Sequence, residues 1–383
     1  MSGVPARAEV VVVGGGVVGL SAAFHLAEAG VEVLLLERGE FGAGSTCRAA
    51  GGVRAAFSDP VNVQLGQRSL RAFEDFGRRP GGQIDLAQHG YLFLLSDPAD
   101  VAEFERGVRM QAELGVPARM LSVAQARQLS PFITGDGLEA AALSASGGHC
   151  TPEAVVQGYA RGARSHGAVL QQRCAVTGID VTGGRVSAVR TDRGPVRTST
   201  VVCAAGAWSA AVGEMAGVEL PVRPLRRQIL VTEPVADLPP RTPFTIDFAT
   251  SFYFHPEGPG LLVGMSAPDE QFGFDQRTDD AWLARLSEVI AGRAPALSDV
   301  GIAHRWAGLY EVTPDHNALI GTSDEVPGFC YATGFSGHGF LQGPAVGEVV
   351  RDLVLGDRPF VDVSGFGADR FAGTAPRPEL NCI

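Results

Sequence analysis

The sequence predicts an α/β fold in two parts. One is a parallel sheet assembled from separated stretches of chain; the other is α+β, built on a mainly antiparallel sheet. Three observations lead there. Residues 10–37 read as strand, glycine turn, helix and strand. Residues 198–209 and 328–356 supply two further strands, each running into small residues, far along the chain. Residues 89–97 and 252–266 read as strands and hairpins, the second with Pro-Glu-Gly-Pro-Gly at its turn.

Residues 9–13, Glu9 and four valines, suit a buried parallel strand. Gly14, Gly16 and Gly19 then give G-x-G-x-x-G. Leu20, Ala23, Phe24 and Ala27 recur at helical spacing, and Ala29-Gly30 supplies a C-terminal stop. Val31–Leu36 reads as the second strand, closed by Glu37. The three glycines serve, in turn, a tight bend, close approach of a pyrophosphate, and close helix–strand packing. The helix start, including Val18, offers unpaired N–H groups to phosphates. Glu37 stands where an acid accepts from ribose hydroxyls. This Rossmann-like unit does not by itself choose between NAD and FAD.

Position along the chain helps. "GAGSTCRAAGGVR" (42–54) follows the second strand at once, where NAD domains continue with a crossover helix. Its small residues and the Ser45 and Thr46 hydroxyls suit an extended segment beneath a pyrophosphate and flavin. "GFCYATGFSGHGFLQGPAVGEVVRDLVLG" (328–356) reads as strand, glycine loop and helix, with Pro344 in the first turn. That helix would aim its N-terminus at a reduced flavin. "VTGGRVSAVRTDRG" (181–194) reads as a hairpin.

Together, the fingerprint, "GSTCRAAGGVR", "CAAGAWS", "WAGLYEVTPDHNALIG" (306–321) and "ATGFSGHGF" (332–340) resemble the D-amino-acid-oxidase superfamily, in its glycine oxidase and sarcosine oxidase branch. The resemblance spans nearly the whole chain. It implies a Rossmann-like FAD-binding domain, discontinuous in sequence, from 1–88, 150–222 and 303–383. An α+β substrate domain would come from 89–149 and 223–302. It also implies FAD contacts at Arg38, Arg48, Gly51, Gly52, Val176, Gly206, Trp208, Gly308, Gly334, Gly337, His338, Gly339, Phe340 and Leu341.

The branch implies oxidation of an amino acid or N-substituted glycine at its C–N bond, by hydride transfer to flavin and imine hydrolysis. A substrate carboxylate calls for an arginine fork and a phenol. Arg54 matches a carboxylate-binding arginine of sarcosine oxidases, and Tyr310 a position facing substrate. Tyr253 lies in a strand of the substrate domain, and His338 in the glycine loop, where it contributes shape or a base. Arg305 could serve the same anion. His25 reads as a packing or surface residue. No metal is called for.

Departures from the branch matter. Gly308 stands where monomeric sarcosine oxidases attach FAD through cysteine, and the region of Arg48 lacks an attachment histidine, so FAD should be non-covalent. Leu341 and Leu262 replace two lysines of sarcosine oxidases, the second important for oxygen activation. Oxygen is the expected acceptor. A dehydrogenase for a D-amino acid or proline, passing electrons to a quinone or partner subunit, is the alternative. A flavoprotein subunit without turnover is the third.

Composition sets limits. A net charge of −11 argues against a nucleic-acid partner. The 45% hydrophobic and 19% charged fractions fit a globular core. Six cysteines without metal-ligand spacing read as reduced thiols. Before Val10 no targeting leader is read, and no apolar run reaches the roughly 18 residues of a membrane span. A soluble, cytoplasmic protein is expected.

Overall fold

The computed structural model describes residues 3–372 and 378–381; Cys382 lies outside them. A six-stranded sheet runs in the order Leu319–Thr322, Phe329–Thr333, Thr200–Cys203, Val10–Val13, Val33–Leu36, Val169–Gln171. All its pairings are parallel except the first. Val10 and Val12 pack among the helices Val17–Glu28, Pro152–Ser165 and Gly339–Leu355. Val11 and Val13 face the opposite cluster, against a three-stranded antiparallel layer that includes the 181–194 hairpin. A parallel strand covered on both faces is why these residues read as an unbroken apolar run.

Two glycines let the first and last helices touch. A Cβ at Gly347 would fall 2.1 Å from Ser21 Oγ, and one at Gly343 would fall 2.9 Å from a Val17 methyl. The glycine turn before the first helix and the loop before the last are thereby held side by side.

The second sheet has eight strands: Ile302–Val312, Arg223–Thr232, Gly260–Met265, Phe252–Glu257, Phe244–Asp247, Tyr91–Leu95, Ala140–Ser144, Ala118–Leu121. It is antiparallel except where Phe244–Asp247 runs parallel to Tyr91–Leu95. The 252–266 hairpin turns where expected, with Glu257 opposite Gly260.

Three local expectations are corrected. Residues 303–312 run in the eight-stranded sheet, hydrogen-bonded along Arg223–Thr232, so a division at 303 cuts through a strand. The segment 42–54 is not extended throughout; Thr46–Arg48 forms a 3-10 turn because Ala49 N bonds back to Thr46 O. Pro344 is not in the first turn of its helix, which starts five residues earlier at Gly339. Among the described residues no helix is long and apolar enough to cross a membrane.

Candidate active site

Between the two sheets lies one cavity of about 530 Å³, running from the glycine turn to the eight-stranded sheet. At the turn, Gly14 has φ +114°, and a Cβ there would lie 2.2 Å from Ala204 O. Gly19 does not line the cavity; a Cβ on it would meet Gly14 O at 2.0 Å, which is the packing role expected of the third glycine. Gly16 caps the helix Val17–Glu28 without a side-chain bond, and Val17 N donates to Thr46 Oγ1 at 3.1 Å. The Ser45 hydroxyl is buried on the cavity wall with no partner among the described residues.

Glu37 accepts from Gly15 N and Gly39 N, each at 2.7 Å, which fixes its carboxylate at the cavity edge. Each oxygen has a second lone pair to offer a ligand hydroxyl. Arg38 lies 3.8 Å over the Trp208 ring, and Val18, Val176 and Gly206 complete this end.

The other end is a chamber lined by Arg54, Tyr91, Arg227, Phe244, Tyr253 and Tyr310, floored by Gly51, Gly52 and Gly337–Leu341. Arg54 is 2% exposed. Its guanidinium donates to the carbonyls of Ala56 and Asn381, the latter at 2.7 Å, and contacts His338 Nε2 at 3.1 Å. Burial, Arg54 and His316 hold His338 well below the usual imidazole range. Neutral His338 accepts from Arg54 through Nε2, so that nitrogen is not free to act as a base. Burial raises the Tyr91 and Tyr253 hydroxyls, leaving neutral donors.

Strand geometry explains the roof. Arg227 faces Gly308 across the ladder, and Leu225 faces Tyr310, so 227, 308 and 310 share the cavity face. A Cβ at Gly337 would come 2.5 Å from the Tyr310 ring, and one at Gly52 would come 2.2 Å from the Tyr91 hydroxyl. These two glycines therefore let the phenols close over the chamber floor. Arg48 donates to Ala307 O at 2.7 Å, and its Cβ would lie 3.0 Å from a Cβ at Gly308.

Two expected positions fall elsewhere. Gly334 does not line the cavity; its N–H donates to Glu311 Oε2 at 3.0 Å and it shapes the loop behind. Arg305 points out of the opposite face of its strand and pairs with Asp280 at 2.8 Å, away from the chamber. Sequence reasoning passed over Arg227, Tyr91 and Glu311, all of which line the cavity. Arg226-Arg227 carried a signal: with a period of two, one of two adjacent arginines in a strand must face inward. Arg226 faces outward, 3.0 Å from Glu270 and 2.9 Å from Asp279.

A dinucleotide cradle joined to a cationic and phenolic chamber defines a class of nucleotide-cofactor oxidoreductase. Residues 9–353 match the family described as FAD dependent oxidoreductase, and the chain belongs to it. FAD is the cofactor of that family. The Ser45 hydroxyl, unpartnered among the described residues, and the cradle that a Cβ at Gly14 would fill fit that group.

Among relatives, the chain is 32% identical to the sarcosine oxidase subunit beta of Rhizobium meliloti (strain 1021), over 95% of this chain and 88% of that one. It is 30% identical to the mitochondrial sarcosine dehydrogenase of Homo sapiens, covering 96% of this chain but only 42% of that protein. It thus spans under half the length of that relative. Among solved structures, L-proline dehydrogenase from P. horikoshii superposes with a TM-score of 0.91 at 32% identity, covering 96% of this chain and 99% of that one.

Proposed function

We infer that the protein oxidises glycine or an N-substituted glycine at its C–N bond, the resulting imine being hydrolysed to glyoxylate and an amine. The observation that carries this reading is the chamber itself. A buried guanidinium, Arg54, and three phenols gather at one end of the nucleotide cavity. Bound FAD supplies the two-electron acceptor. The chain's own part is to bind, orient and exclude water.

In this reading Arg54 holds the substrate carboxylate and the Tyr310 hydroxyl donates to it. Tyr91, Tyr253 and Phe244 wall the chamber, while His338 fixes the guanidinium. FAD is held without a covalent link, supported by the glycine at 308 packed on Arg48. The division that goes with this reading gives 1–88, 150–222 and 313–383 to FAD binding and 89–149 and 223–312 to the substrate part, because Ile302–Val312 pairs along Arg223–Thr232. Oxygen is the acceptor of this first reading, and a cytoplasmic location goes with it.

A second reading is favoured by the dehydrogenases among the comparisons. The similarity to L-proline dehydrogenase supports a dehydrogenase that passes electrons to a quinone or partner subunit. Leu262, buried in the sheet, leaves no lysine at that position to promote reaction with oxygen. Sarcosine and proline, named in the relatives, are both secondary amines, so the substrate class is shared.

The experiment is an anaerobic flavin-reduction screen with glycine, N-alkylglycines, proline and D-amino acids, followed by admission of air. Bleaching by N-alkylglycines with peroxide release supports the first reading. Bleaching with slow reoxidation and no peroxide supports the second. Bleaching by primary D-amino acids alone removes the N-substituted glycine assignment, and no bleaching at all leaves a binding subunit.

A further inference from the structure

Arg226 and Arg227 are consecutive, yet their surroundings are opposite. Arg226 is neutralised by Glu270 and Asp279. Arg227 lines the chamber, where its guanidinium donates from Nη1 to Arg226 O at 3.1 Å. Its Nε–H is buried without a partner among the described residues. Its guanidinium lies 5.1 Å over the Tyr310 ring. Among the described residues no carboxylate pairs with Arg227 or with Arg54.

A buried donor left unpaired costs free energy unless a ligand compensates it. One monocarboxylate can compensate one of these two cations. Arg54 enters with the segment after Gly52 and is pinned by Ala56, Asn381 and His338. Arg227 enters from the eight-stranded sheet, beside Tyr310.

We propose that Arg227 is a second anion-binding residue of the substrate chamber, and that the substrate is a dicarboxylic secondary amine, an N-carboxyalkyl glycine. One carboxylate lies on Arg54 and the other on Arg227. This rests on the amine-oxidation reading above and narrows its substrate class. Arg227 acts here on specificity, with no part in bond breaking.

The test uses the FAD-loaded protein as wild type, Arg227→Met and Arg54→Met. Binding of thiodiacetate and (methylthio)acetate is read from the flavin absorbance change; their thioethers replace the oxidisable amine. Anaerobic bleaching is read with iminodiacetate and sarcosine. Wild type should favour the diacid in both pairs by about tenfold or more, the value of a charge-assisted hydrogen bond. Arg227→Met should lose that preference while FAD content and monoacid affinity hold to within about twofold. Arg54→Met should weaken diacid and monoacid alike.

Equal affinity for diacid and monoacid in wild type overturns the proposal, as does a preference that survives Arg227→Met. Loss of FAD, or of monoacid binding, in Arg227→Met also overturns it, by making Arg227 a cofactor ligand or the single carboxylate anchor. Failure of the oxidation reading is separate. An Arg227-dependent diacid preference in binding, with no bleaching by any amine, rejects turnover and upholds the anion subsite.

Discussion

Arg54 is buried, carries charge, and is held by carbonyls and a neutral imidazole. Such a group is oriented before any ligand arrives, which limits the ordering cost of binding. Arg54→Met keeps an apolar stem and removes the charge. Substrate affinity in the reductive half-reaction should fall about 10- to 150-fold, the range of a charge-assisted hydrogen bond of roughly 1.5–3 kcal/mol. Tyr310→Phe should cost less, since the lost donor is neutral. Comparing an acid with its methyl ester checks the assignment: an acid preference undiminished in Arg54→Met assigns the carboxylate to another cation, with Arg227 first in line. Glu37→Ala, at the opposite end, should weaken FAD retention by about 1–3 kcal/mol. Titration of apoprotein measures it, and an unchanged affinity removes the ribose assignment.

At the scale of elements, glycines decide how close the loops come to the cavity. Gly337 has φ +102°, and any Cβ there meets the Tyr310 ring at 2.5 Å. Gly337→Ala should therefore displace Tyr310 and weaken substrate binding, while the turn at Gly14 stays intact and FAD content holds. Gly14→Ala should do the reverse at the root, because its Cβ meets backbone oxygen that cannot move aside. FAD per protein, read from absorbance after gel filtration, separates the two. If Gly337→Ala is as active and as tightly substrate-bound as wild type, Tyr310 does not touch the substrate.

For the whole molecule, buried histidines set the response to acid. Burial lowers His25, His149, His255 and His338; His149 reaches about 3 and His255 about 4. Unfolded, each titrates near 6.5. Below that pH the unfolded chain takes up protons that the folded chain refuses, so stability falls as pH falls from about 6.5 towards the folded values. Each such histidine contributes a slope of up to roughly 1.4 kcal/mol per pH unit. Tm should drop steadily between pH 7 and pH 5, before most carboxylates titrate. His149 stacks on His255 with centroids 4.2 Å apart, so His149→Phe keeps a ring there and should flatten the slope. A Tm that stays level over this window would contradict the buried, neutral state of these rings.

The local pattern carried the nucleotide end. Four valines, three spaced glycines, an apolar helix and Glu37 are neighbours in sequence, and short-range geometry alone brings them to one turn. The 252–266 hairpin and the strand–loop–helix at 328–356 were legible for the same reason. The chamber was legible only in part. Arg54, Tyr253, Tyr310 and His338 stood out in the sequence, but their meeting joins two strands of the eight-stranded sheet to the segment after Gly52 and to the loop before the last helix. Whether Arg226 or Arg227 faces inward, and whether Arg305 does, depends on strand register, which moves a side chain to the other face with a slip of one residue. Register is fixed by ladder pairing between Arg223–Thr232 and Ile302–Val312, some seventy residues apart in the chain, and by packing against the cavity. Sequence therefore determined the cradle and the class of cofactor; tertiary structure alone decided which cations line the chamber, because burial and side-chain partners exist only once distant strands have paired.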